Sequence, residues 1–205
     1  MLRKLYLSPL GYFISLVLRM IAVFKKDFMI YGYVNQVQKK WMKNTRYSTT
    51  AMISDKKKID IADNVWIGHY CILDGIGGIT IEEGVNLASH TCIYTHSSSD
   101  AIRLLGRAFI SIPAEQRPGY TLAPVIIGAY TFVGTQSVIL PGVSIGKGCI
   151  IGAGSLVNKD VPDFAIVGGV PVKVLGDTRE RDKELIQSTN CAATYYLNIN
   201  TINKK

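Results

Sequence analysis

Between Val125 and Pro162 the apolar positions recur every six residues. Counted from Ile127 the blocks are IGAYTF, VGTQSV, ILPGVS, IGKGCI, IGAGSL and VNKDVP; each begins with Ile or Val, and four carry Gly second. An earlier array has the same rhythm, with IADNVW, IGHYCI and LDGIGG from Ile61, then IEEGVN, LASHTC and IYTHSS from Ile81. Two extra residues within GIGGIT separate its halves. A period of six suits neither a helix nor a hairpin sheet. It suits a short strand and a tight turn, repeated as a parallel β-helix with three units, about 18 residues, per triangular coil. The aliphatic residue then points inward and stacks on its counterpart about 4.8 Å away in the next coil. Thr131, Ser137, Cys149 and Ser155 are small enough for the corners, and Gly is expected to supply the turn conformations there. The count predicts two coils before the gap and two after it. No coil buries its own core, so stability comes from stacking.

The rhythm stops after CIYTHSSSD and resumes at Val125. The intervening stretch, residues 98–124, is a loop long enough to expect a function of it. Residues 59–176 thus form the repeat domain. Residues 1–58 precede it and are expected to be helix and linker, with Pro9 opening a helix that runs to Phe24. Arg3, Lys4, Arg19, Lys25 and Lys26 punctuate that apolar segment. Three readings stay open for it: packing on the protein or a sister subunit, lying peripherally on a membrane through residues 1–26, or spanning it. Arg19 interrupts the apolar run, and no cleavage-site pattern follows. After the array, GDTRERDKELI predicts a short helix capped by Asp177 with Glu180 at capping-box spacing. The rest of 177–205 has no predicted role.

The 205 residues are 48% hydrophobic and 19% charged, a globular composition. The net charge is +8, with cations richest before Lys58 and after Lys173. No dense basic block forms, so nucleic acid is not expected. A solvated surface, or attraction to an anionic cofactor or membrane, accounts for the charge. Cys71, Cys92, Cys149 and Cys191 lack metal-motif spacing and read as buried reduced thiols, which suits a reducing, cytoplasmic compartment. Walker and Rossmann motifs are absent.

The repeats, together with GAGSLVNKDVPDFAIVGGVPVKVL, resemble the hexapeptide-repeat acyltransferases, in particular the galactoside, maltose and polysaccharide O-acetyltransferase branch. The resemblance covers roughly residues 59–175. It implies an all-β, left-handed parallel β-helix and a homotrimer with active sites in the clefts between neighbouring β-helices. It also implies acetyl-CoA as co-substrate, a sugar hydroxyl as acceptor, and no metal. His96, where the loop departs, matches the family's catalytic base, and the Thr135 amide matches its oxyanion donor. A neutral imidazole can take the hydroxyl proton as the thioester is attacked. Asp74 matches a sugar-binding position, although a turn aspartate explains LDG equally well. His69 lies near a second sugar contact. Asp100 orients His96, binds the acceptor, or caps the loop. Ala153 and Gly154 fall where pantetheine approaches backbone, and Asn158, Lys159 and Lys173 where CoA is held.

The leading expectation is acetyl transfer to a surface polysaccharide or its precursor, at the inner face of the membrane or free in the cytoplasm. The alternatives are acetylation of a small acceptor such as a free sugar, serine or antibiotic, a zinc hydratase like the γ-class carbonic anhydrases, and a non-catalytic trimeric scaffold. The three histidines, spaced by 21 and 6, do not match the hydratase pattern.

Overall fold

The computed structural model describes residues 8–10, 13–14, 16–17 and 27–189. The body is a triangular prism of stacked coils with a parallel sheet on each side. The first face aligns Tyr47, Ile67, Leu87, Val133, Ile151 and Val167. The second aligns Ile53, Leu73, Ile93, Ile139 and Val157. The third aligns Ile61, Ile81, Ile127 and Ile145, with a single bridge on to Val161. Nearly all of these side chains are fully buried. Each such Ile or Leu removed from water contributes about 1.5–3 kcal/mol. The hexad therefore encodes the core directly.

Coil length is not uniform. Coils after the loop repeat at 18 residues, as Ile127 and Ile145 show. Those before it repeat at 20, as Ile61 and Ile81 show. The two extra residues lie at Gly75–Gly78, where Gly78 N–H closes a turn on Gly75 O (2.9 Å).

Glycine supplies the turn conformation at several corners, as expected, with positive φ at Gly84, Gly142, Gly148 and Gly154, and it has a second role. The second hexad position is not where the backbone turns left-handed. Positive φ falls two residues later, at Tyr70, His90, Tyr130, Gln136 and Gly154 among others. Glycine is second because the coils touch there: a Cβ on Gly128 would lie 2.6 Å from Gly146 C and Lys147 N, and one on Gly134 would lie 2.5 Å from Ala153 N. Rigid backbone cannot yield to that contact. Gly128→Ala is therefore expected to cost about 1–3 kcal/mol, a fall in Tm of roughly 2–10 °C for a chain this size. Thermal unfolding followed by circular dichroism checks it; an unchanged Tm would refute the close-approach explanation. The small buried hydroxyls tie corners together as expected: Thr131 Oγ1 donates to Gly146 O (2.7 Å) and Ser137 Oγ to Gly152 O (3.0 Å).

The stretch expected to be helix and linker before residue 59 is instead mostly strand. β1 (Met29–Asn35) and β2 (Lys40–Ser48) form an antiparallel hairpin, and Arg46–Tyr47 extends the first face alongside Trp66–Ile67. Met52–Ser54 likewise begins the second face. This segment lacks the six-residue rhythm; along β2 burial recurs every third residue, at Met42, Thr45 and Ser48. Thr45 and Ser48 are buried and Tyr47 is partly so, and Tyr33 packs edge-on against Tyr47 (6.1 Å). The hairpin thereby covers the open end of the core. Of the proposed Pro9–Phe24 helix, the described residues Pro9, Leu10, Phe13, Ile14, Leu16 and Val17 are helical; the rest lies outside the described residues. Among the described residues no helix is long and apolar enough to cross a membrane.

At the other end, Lys173–Asp177 folds back antiparallel on Ala165–Gly168. It leads into a helix over Thr178–Thr189, where Asp177 Oδ1 accepts the Arg179 N–H (2.8 Å). That bond joins the Arg179 guanidinium in holding the Asp177 carboxyl down at about 2. Residues 190–205, Cys191 among them, lie outside the described residues.

Candidate active site

His96 stands where the second face gives way to the loop, at the prism edge between the second and third faces. Residues His96–Ser97 pair antiparallel with Thr121–Leu122, so the loop is clamped at its root. Between these strands run α1 (Ala101–Leu105) and short 3₁₀ turns at Gly106–Ser111 and Ala114–Gln116. Only Ala101 is buried in these three segments, and Leu104 and Ile110 are 67% and 89% exposed.

The loop returns over its own starting point. Tyr120 stacks on the His96 ring at 5.9 Å with 24° between planes. Arg117 in turn sits 3.9 Å from the centre of the Phe109 ring and 5.9 Å from that of Tyr120. These aromatic and cation–π contacts give the loop a fixed packing above the imidazole.

Beneath it lies Asp74. Its Oδ2 is 2.5 Å from His96 Nδ1, with side-chain exposures of 11% for Asp74 and 33% for His96. An ionised carboxylate only accepts hydrogen bonds, so Nδ1 carries the hydrogen and Nε2 presents its lone pair outward. Asp74 is itself fixed. The Thr95 N–H approaches Oδ2 (3.4 Å), Thr95 Oγ1 donates to Asp74 O (2.6 Å), and the Gly77 N–H donates to Thr95 Oγ1 (2.7 Å). Ser54 Oγ reaches Oδ1 at 3.5 Å. The arrangement is an imidazole whose Nδ1 is anchored on a largely buried carboxylate.

This geometry bears on two expectations. Asp74, which matches a sugar-binding position or serves as a turn aspartate, has its carboxylate turned onto His96. Asp100 does not orient His96. It pairs with Arg103, and its side chain makes no capping bond at the start of α1. Asp100 is met by Arg103 three residues further on within the loop, whereas the contact between Asp74 and His96 comes from the 20-residue coil. It places Asp74 level with Tyr94, two residues before His96, whereas an 18-residue count misaligns them. Tyr120 lies inside the loop, where no repeat announces its contact.

The other candidates lie elsewhere on the prism. Thr135, Ala153 and Gly154 are exposed on the edge between the first and second faces. Gly154, at φ +67, has open space where a Cβ would stand. The amides flanking Thr135 are committed, Gly134 N–H to Ile151 O and Gln136 N–H to Ser89 O, and Thr135 Oγ1 donates to Ser89 O. His69 shares this edge, its Nδ1 2.7 Å from Ser48 Oγ. It is level with Ser89; His90 stacks instead on Tyr70 (5.1 Å). Asn158 and Lys159 are exposed on the edge that carries His96, and Lys173 is exposed on the terminal strand. Within one chain, then, His96 and Thr135 occupy different edges. Burial raises the pKa of the Cys71, Cys92 and Cys149 thiols, which keeps them protonated and poor nucleophiles at neutral pH.

The chain is thus a three-faced parallel β-helix of hexads, broken by a loop with a carboxylate-held histidine at its exit. Residues 124–159 match the family described as bacterial transferase hexapeptide (six repeats). It is 45% identical to the galactoside O-acetyltransferase of Escherichia coli K12 over 60 residues, 29% of this chain and 30% of that one. It is 30% identical to WbbJ of the same organism, a putative lipopolysaccharide biosynthesis O-acetyl transferase, over 117 residues, 57% of this chain and 59% of that one. The chain thus matches less than two thirds of either relative. Among solved structures it resembles AntD, an N-acyltransferase from Bacillus cereus in complex with dTDP and 3-hydroxybutyryl-CoA. The TM-score is 0.55 and the identity 26%, covering 73% of this chain and 90% of that one.

Proposed function

We propose that the protein is an acetyl-CoA-dependent O-acetyltransferase acting on a sugar hydroxyl of a surface polysaccharide or its precursor. The observation that carries this reading is the Asp74–His96 pair at the loop exit. A neutral imidazole with Nδ1–H anchored and Nε2 exposed is arranged to accept a proton from a neutral alcohol. The sugar oxygen attacks the thioester carbonyl of acetyl-CoA as its proton passes to His96 Nε2. The tetrahedral oxyanion is held by the Thr135 N–H. Collapse expels the CoA thiolate, which takes the proton back from His96. A backbone donor aimed at the developing charge lowers the barrier without a reorganisation cost. The galactoside and lipopolysaccharide relatives support the choice of a glycan hydroxyl, and the CoA complex of AntD supports the donor.

A homotrimer with left-handed coils completes the proposal. His96 and Thr135 sit on the two edges that bound the second face. A site using both needs the first edge of one copy against the second edge of another, which is a cyclic, head-to-tail contact. The second faces then turn toward the common axis. Their outward residues, Met52, Ile72, Cys92, Val138 and Leu156, form one apolar column in register. The third face shows Asp60, Thr80, Ile126 and Ser144 instead. Ala153 and Gly154 from one copy would meet Asn158 and Lys159 from the next, forming a groove for pantetheine with a cation for CoA phosphate. His69 and Asp100 remain candidates for acceptor contact across that groove, and Lys173 for a phosphate. The donor places the enzyme in the cytoplasm, with residues 1–26 available to meet the membrane.

The test is CoA release from acetyl-CoA across a panel of glycans, lipid-linked sugars and nucleotide sugars, with Asp74→Asn beside the natural protein. Acceptor-dependent release is expected from at least one glycan or precursor sugar. The Asp74→Asn substitution should lower kcat by about 10²-fold or more by losing control of the tautomer, with KM for acetyl-CoA little changed. Transfer to amino-sugar nitrogens alone, or an Asp74→Asn enzyme with natural kcat, would overturn the reading.

A further inference from the structure

A second feature lies on the first face beside its edge with the third, in the coils that precede the one carrying His96. Tyr31, Arg46 and Trp66 are in-register neighbours on three adjacent strands. The Arg46 guanidinium carbon consequently sits 4.9 Å from the centre of the Trp66 ring and 5.7 Å from that of Tyr31. Its Nε is buried and has no hydrogen-bond partner. Among the described residues neither Arg46 nor Lys43 takes part in an ion pair. Tyr31, Lys43, Asn44, Arg46 and Asn64 line a cleft of about 540 Å³. The neighbouring carboxylate, Asp63, is spent on strand β2. Its Oδ1 accepts the N–H of Asn44 (2.7 Å) and Thr45 (3.1 Å), and its Oδ2 accepts Asn44 Nδ2 (3.0 Å).

Structural arginines are ordinarily matched to a carboxylate or to backbone carbonyls, because an unmatched guanidinium loses hydration without recompense. Here the aromatic flanks stabilise the cation yet satisfy none of its N–H groups. Those groups lie in the plane of the guanidinium, so flanking rings leave its donor edges open, in the fork geometry that matches phosphate oxygens. Lys43 adds a second charge, while Asn44 and Asn64 add amides suited to hydroxyls or further oxygens.

We propose that this cleft binds a phosphate group of an anionic ligand, with Arg46 as the bidentate contact and Lys43 as the supporting charge. The site is separate from the CoA groove, since Arg46 lies on the opposite side of the prism from the edge carrying His96 and Lys159. The proposal does not rest on the acetyltransferase reading. It also gives part of the +8 charge a specific task. Two sources can supply the phosphate: a soluble diphosphate-bearing metabolite or an anionic lipid headgroup.

Trp41 and Trp66 are the only tryptophans, and Trp66 touches Arg46. In full-length protein carrying Trp41→Phe, Trp66 emission therefore reports on the cleft. Inorganic pyrophosphate, titrated at constant ionic strength, is expected to change that emission saturably. Arg46→Gln should weaken binding about tenfold or more, the loss of a charge-assisted bidentate contact, and the exposed Lys43→Gln should weaken it several-fold. Lys159→Gln and Lys173→Gln should leave the titration unchanged, which separates the cleft from the proposed CoA groove. In a second arm the same proteins are sedimented with phosphatidylglycerol or phosphatidylcholine vesicles. Arg46-dependent binding to phosphatidylglycerol identifies a lipid phosphate, and pyrophosphate binding without it a soluble one. The proposal is overturned if pyrophosphate gives no saturable change and vesicle binding is indifferent to Arg46. It is equally overturned if the Arg46 and Lys43 variants, folded by circular dichroism, bind like the parent.

Discussion

His96→Ala is expected to keep its fold and assembly while losing about 10²–10⁴-fold in acceptor-dependent turnover, the usual contribution of a positioned general base. The fold should survive because the imidazole is one third exposed and contributes nothing to the buried columns. Removing it does leave Asp74, largely buried, without its partner. Thr95 N–H and Ser54 Oγ remain beside that carboxylate, so the local cost is moderated. The loss should fall on kcat, because the proposed contacts to acetyl-CoA, at Ala153, Gly154, Asn158 and Lys159, do not include His96. Steady-state CoA release with the acceptor saturating, compared with binding of CoA measured calorimetrically, distinguishes the outcomes. Unchanged turnover would remove His96 from the mechanism. Lost CoA binding would instead point to a structural role in shaping the groove, by way of the Tyr120 stack.

The second large effect concerns assembly. Val138 lies in the middle of the apolar column of the second face, between Cys92 and Leu156 in register, and points away from the core that Ile139 fills. In the proposed trimer, Val138→Asp would bring three carboxylates to one apolar interface. Desolvation and mutual repulsion both oppose this, and each unpaired buried charge costs several kcal/mol. Sedimentation should show monomers at micromolar concentration, and circular dichroism should show the β signal retained. Turnover should vanish with the trimer even though His96, Asp74 and Thr135 are all present. Mixing Val138→Asp with natural subunits would not restore it. A Val138→Asp protein that remains trimeric and active would place the subunit contact on another face. Ile126→Asp on the third face is the matched control, expected to change neither assembly nor rate.

Much of this molecule was readable from residue order alone. The hexads fixed which aliphatic residues are buried, because a period of six admits one inward position per strand and every coil repeats it. They located the loop for the same reason: a break in a strict repeat is visible without coordinates. The helix after Asp177 was legible from its capping residue and charge pattern.

Legibility ended where contacts join residues that no period relates. The β1–β2 hairpin went unread because it carries none of the six-residue rhythm, and its aromatic residues pack only once the first coil exists to receive them. Glycine's place in the hexad was visible, but its reason was not. The close approach of Gly128 to Gly146 and Lys147 is a distance between coils, and no single turn contains it.

The site divides along the same line. The sequence by itself determined that a histidine stands where the repeat fails, and that small and basic residues occupy the late corners. Tertiary structure decided what those residues do for one another. The 20-residue coil carries Asp74 under His96; the loop pairs Asp100 with Arg103, and its return lays Tyr120 on the imidazole; and the triangular cross-section sets Thr135 on a different edge from His96. Sequence order specifies each coil from local preferences. Alignment between coils, and between copies, depends on how much chain each turn consumes, which only the stacked structure measures.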